Sequence, residues 1–319
     1  MSDVLFRLGT RGSPLAMAQA RETRARLCAA HRLDPERIAI VEIKVTGDQI
    51  LDRALALAGG KGLFTRELDQ ALIDGAIDFA VHSAKDVPTF LPPEIGIAGY
   101  LPREDARDVF IGAGGRRFAE VAPGAVIGSA SLRRQAMIRR ARPDLKIGLL
   151  RGNVQTRLRK LEEGQVAGTL LALAGLKRLG LEDRATEIFD VDAFLPPVGQ
   201  AAIAIAARVG DARTRDFLAT VLDAATGVAL ACERAFLAVL DGSCRTPIAG
   251  HARLVEGRLR FEGLLLREDG SEEWSVAREG AAEDAARIGE EAGRDIRTRA
   301  PQDALAHGAL AHGAQPHGV

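Results

Sequence analysis

The sequence predicts an α/β protein: two similar lobes joined by two hinge strands, with a cleft between them, followed by a small α+β unit. Three observations carry that prediction. Short apolar strands alternate with amphipathic helices from the N-terminus through Ala174. The alternation is broken twice, near Glu94 to Arg107, where Pro92, Pro93 and Pro102 punctuate the chain, and at Leu195-Pro196-Pro197-Val198-Gly199-Gln200. From Thr226 the pattern changes to helix, hairpin, strand and helix. We therefore expect residues 1–100 with 200–220 to form the first lobe and 101–199 an arginine-rich second lobe. Residues 221–300 form the third domain, and 301–319 a disordered tail.

Each element has a local reason. Val4 to Leu8 alternates as a strand does, and Ser13-Pro14 then offers an N-cap and a first helical residue for a helix reaching about Ala30. Arg11 stands at that strand-to-helix turn, beside Ser13. Ile38 to Val45 is a second apolar strand. Thr46 to Gly62 is polar and ends in Gly59-Gly60-Lys61-Gly62, a lid-like loop whose Lys61 can reach an anion. Phe64 to Ile73 has an amphipathic helical pattern stopped by Gly75. Ile77 to Val81 reads as a buried strand, and His82-Ser83-Ala84-Lys85-Asp86 follows it. Ligand-binding groups in open α/β sheets gather at the carboxyl ends of strands, so Ser83, Lys85 and Asp86 supply a hydroxyl, a cation and a carboxylate at such an end.

The strongest local imbalance lies in Gly128 to Lys160, where ten Lys or Arg residues accompany one acid, Asp144. Ala125 to Gly128 is a strand, Ser129 to Ser131 a turn, and Leu132 to Arg142 a helix stopped by Pro143; Lys146 to Leu150, Arg151-Gly152-Asn153 and a helix from Val154 repeat that layout. Each strand-to-helix turn aims backbone N–H groups and a positive dipole end at one point. Arg133, Arg134, Arg151 and Arg157 sit in first turns, where the dipole disfavours cations, so an anion is expected beside them. Arg139, Arg140, Arg159 and Lys160 read as a solvated helix face.

After the apolar strand Ala201 to Ala206, which can return to the first lobe, a helix runs from Thr226 to Asp241. Ile248 to Leu266 reads as a hairpin, Trp274 to Ala277 as a strand, and Ala281 to Arg299 as a helix. Cys28 and Cys232 fall inside helices as packing residues. Cys244 lies in Gly242-Ser243-Cys244-Arg245, where small neighbours give access and a cation favours thiolate.

Composition narrows the function. The chain of 319 residues holds 43 basic and 43 acidic side chains, so it lacks the electrostatic footprint of a nucleic-acid binder. Aromatics are 4%, too few for a base-stacking surface. No apolar run reaches membrane-spanning length, and the N-terminus lacks a secretory pattern, so a cytoplasmic protein is expected. Three cysteines without ligand spacing argue against a disulfide framework or a metal centre.

Nine segments together resemble the porphobilinogen deaminase family: RLGTRGSPLA, GGKGLF, AVHSAKDVPT, REDARDVF, GSASLRRQ, LRGNVQTRL, LAGLKRLGL, LPPVGQ and DGSCRTPI, in that order and covering all but the tail. The resemblance implies two lobes like those of periplasmic binding proteins, plus the small third domain. It implies a dipyrromethane cofactor, made of two porphobilinogen units, held by a thioether to Cys244. It implies head-to-tail condensation of four porphobilinogen molecules into hydroxymethylbilane. In that chemistry loss of ammonia leaves a cationic azafulvene, and Asp86 at the pyrrole N–H is the matching catalytic carboxylate. Lys85, Ser83, Ser129, Ser131, Arg133, Arg134 and Lys61 match cofactor-binding positions. Arg11, Ser13, Arg151, Arg157, Phe64 and Gln200 match substrate-binding ones. A monomer that passes its product to uroporphyrinogen-III synthase is implied, with no metal, nucleic acid or membrane partner. Three positions depart from the family's commoner pattern: Leu57 stands where a lysine is frequent, Ala201 where glycine is, and Ala206 where glutamate is. A receptor for a carboxylate-bearing molecule would share the arginine-lined cleft; only the enzyme needs Asp86 and a modified Cys244.

Overall fold

The computed structural model describes residues 4–46, 64–240 and 246–305. Strand β1 (Phe6–Arg11) lies between β2 (Ile38–Ile43) and β3 (Phe79–Ser83), parallel to both, with Arg11 opposite Ile43. This pairing carries β1 three residues past the expected Leu8, so Arg11 is the last residue of the strand and inherits its fixed direction. Helix α1 (Pro14–His31) begins as the Ser13-Pro14 pair predicts, with the Ser13 hydroxyl accepting from Ala16 N at 3.3 Å. Helix α2 (Arg66–Ile73) follows the second described segment's start, and β4 (Ile95–Tyr100) closes this stretch of chain.

The chain then crosses to a second sheet through 101–107. It builds β5 (Asp108–Gly112), β6 (Val126–Gly128), helix α3 (Leu132–Ala141), β7 (Lys146–Gly148), helix α4 (Val154–Glu162), β8 (Gly168–Ala172), helix α5 (Leu173–Arg178) and β9 (Glu187–Ile188). A second crossing returns it to the first sheet as β10 (Ile203–Arg208). The sheet orders are β2-β1-β3-β10-β4 and β7-β6-β8-β5-β9. In each, three parallel strands meet an antiparallel one that enters straight after a crossing, β10 in the first and β5 in the second. The two lobes are thus the same arrangement built twice. The first is sealed around Leu8, Phe79, Ile203 and Ile205, and the second around Phe110, Ile127, Ile138 and Leu170. Each such fully buried side chain is worth about 1.5–3 kcal/mol of apolar transfer.

Helix α6 (Ala212–Ala219) leads into α7 (Ala224–Val239), whose N-cap Asp223 accepts from Thr226 N at 2.7 Å. Strands β11 (Ile248–Val255) and β12 (Arg258–Leu266) form the expected hairpin, turning at Glu256 and Gly257, both at positive φ. Strand β13 (Glu273–Ala281) extends the sheet, and α7 and helix α8 (Ala285–Arg299) pack on it around Phe236 and Phe261. The expected disorder from residue 301 does not hold at its start: α9 (Gln302–Leu305) is ordered, and Asp303 pairs with Arg267 at 2.8 Å. The rest of the tail, like the lid residues Leu57 and Lys61 and the Cys244 loop, lies outside the described residues. Among the described residues no helix is long and apolar enough to cross a membrane.

Lobe two docks on the third domain through α3. Arg140 pairs with Glu273 at 2.8 Å, and the Arg139 guanidinium donates to the Glu268 carbonyl. These two arginines, expected to be merely solvated, have partners because the sheet of the third domain lies beside that helix face.

Candidate active site

The ends of β1, β3 and β6 and the turn after β7 open onto one cleft of about 810 Å³ between the lobes. From lobe one it is lined by Arg11, Ser13, Phe64, Ser83, Lys85 and Asp86, and from lobe two by Arg134, Arg151, Asn153 and Arg157. Most of the expected site residues therefore share one cavity.

Asp86 sits in the short 3-10 turn after β3 and is about a third exposed (35%). One Arg11 Nη lies 3.8 Å from its carboxylate, too far for a direct hydrogen bond. Arg11 is held over the Phe64 ring at 4.2 Å, a cation–π contact that fixes its direction. Ser83 exchanges hydrogen bonds of 3.0 and 3.1 Å with the buried amide of Gln19, which anchors the turn from beneath. His82, on the same strand, is buried; burial and then the Arg11 charge lower it to about 4, so it is neutral near pH 7.

Lys85 is exposed toward the cleft, but protein atoms crowd its other sides. That crowding, with the Arg134 charge, lowers its ammonium to about 8 against the opposing pull of Asp86 and Asp108. Its Nζ donates to Gln200 Oε1 at 3.1 Å. Arg157 donates to the Gly152 carbonyl at 2.9 Å. Burial, then Arg134 and Arg151, lower Arg157 to about 10 while Asp86 raises it. Several cations have been pressed together here, so an anion entering the cleft relieves their mutual repulsion.

Four expected ligands do not line the cleft, and a fifth, Arg134, is shared with an internal partner. Arg133 is buried and does not line the cleft; it pairs with Asp108 and donates to the Leu195 carbonyl at 2.7 Å. Arg134 pairs with the same Asp108 at 2.7 Å while one face reaches the cleft. The anion that the first-turn arginines of α3 require is thus internal. Burial alone would raise the Asp108 carboxyl, but the two guanidiniums hold it well below the usual carboxylate range. Gln200, expected on substrate, is fully buried; its amide donates to Asp108 and to the Ala106 carbonyl, each at 2.8 Å. Ser129 is buried and accepts from Ser131 N at 3.2 Å, and Ser131 caps α3 by accepting from Arg134 N at 3.4 Å. Neither hydroxyl lines the cleft; both shape the turn that carries Arg134.

Sequence reasoning missed the group behind this network. Glu233 of α7 is fully buried and accepts from Gly199 N at 2.7 Å, Ala252 N at 2.8 Å and both Nη atoms of Arg103. Burial pushes its carboxyl up, and Arg103 and His251 more than reverse this, to about 2. Arg103 also donates to the Gln200 carbonyl at 2.9 Å. One carboxylate of the third domain therefore holds both crossings, next to the glutamine that braces Lys85. Gly199 belongs there by necessity: it has φ +76°, and a Cβ would lie 2.9 Å from the backbone of Ala84 and Lys85. A lone acid in an otherwise apolar helix was the available signal for Glu233.

The chain is similar to proteins of one family along most of its length. Residues 6–216 match the family described as porphobilinogen deaminase, dipyromethane cofactor binding domain, and residues 228–298 match its C-terminal domain. A porphobilinogen deaminase of Nitrobacter hamburgensis is 55% identical over 299 residues, covering 94% of this chain and 95% of the relative. That of Nitrobacter winogradskyi is 56% identical over the same shares. Among solved structures, the VFT2 domain of Bordetella pertussis BvgS superposes with a TM-score of 0.40 at 16% identity, covering 72% of this chain and 91% of that one. With cations lining the cleft, a partly open carboxylate among them and both sequence matches spanning the lobes and third domain, the chain belongs to the porphobilinogen deaminase family.

Proposed function

We propose that this protein condenses four porphobilinogen molecules head to tail on a dipyrromethane primer, releasing four ammonia molecules and linear hydroxymethylbilane. The observation that carries the reading is Asp86, partly exposed and only loosely paired, set among cations in one cleft. The donor set suits the cofactor. Each of its pyrroles carries acetate and propionate, and Lys85 and Arg157 have lowered proton affinities that a carboxylate neighbour would reverse. Lys85, Arg134 and the first-turn backbone of α3 would hold it, and Cys244 would carry the thioether. When bound, it supplies the pyrrole carbon to which each new unit is joined.

The chain's own residues do the rest. Arg11, Arg151, Arg157 and the Ser13 turn orient the substrate carboxylates by charge and direction. Asp86 accepts from the substrate pyrrole N–H and stabilises the positive charge left on that ring as ammonia departs. Arg11, at 3.8 Å and held over Phe64, stands beside Asp86 yet too far away to consume its lone pairs. Gln200 and Gly199 keep Lys85 in register with both crossings. We further propose that the protein works as a cytoplasmic monomer, passes its product to uroporphyrinogen-III synthase, and divides into the two lobes and third domain outlined from the sequence. The boundary between the two family matches, between 216 and 228, supports a third domain beginning near 221.

The test is the mass of the purified protein, followed by mapping of the peptide containing Cys244. A mass excess equal to two linked pyrroles on that peptide is expected. An unmodified thiol in protein supplied with porphobilinogen would refute the cofactor attachment and the primed mechanism.

A further inference from the structure

Among the described residues the cleft carries six cationic side chains and two anionic ones, Asp86 and Glu42. Asp86 has a place in the reaction; Glu42 does not yet. It stands on β2, opposite Thr10 of β1, exposed to the cleft, and makes no hydrogen bond or ion pair among the described residues. Among the described residues this carboxylate has no partner despite so many guanidinium and ammonium groups in the cleft, which leaves it available to a cation from outside. Its side chain lies across the turn between β1 and α1, where a Cβ on Gly12 would fall 2.1 Å from Glu42 Oε1. Gly12 thus leaves the space in which this carboxylate rests.

We propose that Glu42 receives the aminomethyl ammonium of incoming porphobilinogen, a reading that rests on the function proposed above. The substrate brings two carboxylates and one cation, and the cations of the cleft can match only the former. Sheet order places β2 and β3 on either side of β1, and Glu42 of β2 and Asp86 after β3 line the same cleft. The pyrrole nitrogen and aminomethyl nitrogen are separated by three bonds of about 1.5 Å, or about 3 Å in space. With a charge-assisted hydrogen bond of about 2.8 Å at each end, the two nitrogens of one substrate can span a gap of up to about 9 Å between two carboxylates. Asp86 takes the pyrrole N–H and Glu42 the ammonium. The arrangement also favours the protonated amine, the form that can leave: the carbon–nitrogen bond breaks, its electron pair departs with neutral ammonia, and the positive charge stays on the pyrrole methylene facing Asp86. Glu42 holds the charged ground state and lets go of the neutral leaving group.

The experiment compares the parent holoenzyme with Glu42→Gln, using porphobilinogen and its hydroxymethyl analogue, which lacks the cation. KM for porphobilinogen should rise about tenfold, the loss of one ion pair of about 1.4 kcal/mol, with the loss falling on KM rather than kcat. The inhibition constant of the neutral analogue should change less than twofold. An unchanged or lowered KM, or parallel weakening of the analogue, overturns the assignment, since the latter means that Glu42 merely shapes the wall. Absence of bilane from the parent protein overturns the proposed function and this assignment with it; normal parental turnover with an unaltered Glu42→Gln KM overturns this assignment alone.

Discussion

Asp86 and Asp108 both face arginines, and they show how the same pair of groups becomes either machinery or mortar. Asp86 keeps about a third of its surface open and meets Arg11 at 3.8 Å. Asp108 is sealed from solvent, grips Arg133 and Arg134, and takes a further hydrogen bond from Gln200. The first retains lone pairs for a ligand; the second has none to give. What separates them is position along a strand. Asp86 follows the carboxyl end of β3, where the sheet opens on the cleft, whereas Asp108 begins β5, where the chain arrives from the crossing. A carboxylate beside an arginine therefore says little until its burial is known.

The comparison can be broken by four measurements. Asp108→Asn leaves two buried guanidiniums without a counter-charge and should cost about 3–5 kcal/mol in urea unfolding. A loss below 1 kcal/mol would show that the lobes do not depend on that pair. Asp86→Asn should leave the unfolding transition in place while turnover falls about 10²–10³-fold. Bilane made at the parental rate would remove Asp86 from the mechanism.

Lys85 sharpens the contrast through pH. Its folded value of about 8 lies below the ordinary 10.5, so the unfolded chain binds more protons between those limits. The cost of confining this cation is therefore full below pH 8 and fades as pH rises toward 10.5; solvent in the cleft keeps that cost small. Ligand binding should run the other way, because the charge offered to a carboxylate is lost as pH climbs through about 8. Titration calorimetry with a carboxylate inhibitor should show that alkaline loss in the parent, and Lys85→Arg should abolish it. The smallest effect is expected at Ala201, which holds φ +72° beside Gln200. Ala201→Gly relieves about 1–2 kcal/mol of left-handed strain and gives back about 0.5–1 in chain entropy. A net gain of up to about 1.5 kcal/mol in the unfolding free energy from urea titration is the expected result; a loss would mean that packing against Ala106 and Ala174 matters more.

Much of this was legible in the chain because local chemistry announced it. Ser13 and Pro14 start α1, Asn153 precedes α4 and caps it by accepting from Thr156 N at 2.9 Å, and the hairpin expected over Ile248 to Leu266 forms as β11 and β12. The second crossing and its return strand were visible in a proline-rich break followed by an apolar run. The internal partners of two expected ligands were not legible, and for one reason. Arg133 was expected on a ligand because its internal anion, Asp108, stands 25 residues earlier, and nothing local joins the two. The internal partners of Gln200 were hidden likewise, since Lys85, Ala106 and Asp108 come from both sides of the first crossing. Strands β4 and β5 went unread as separate elements because five- or six-residue runs beside a crossing carry too little period to register.

The exchange of strands at the crossings also sets an order of assembly. β4 has one neighbour in its sheet, β10, which is more than 100 positions further along the chain. As the chain leaves the ribosome, the first sheet must wait with an unfilled slot between β3 and β4 until residues 203–208 emerge. The second sheet is drawn entirely from 108–188, so it is complete in the nascent chain before the first. The lobe made second is the one that can close first, and it does so bearing the buried Asp108 pair against which the returning segment must then dock.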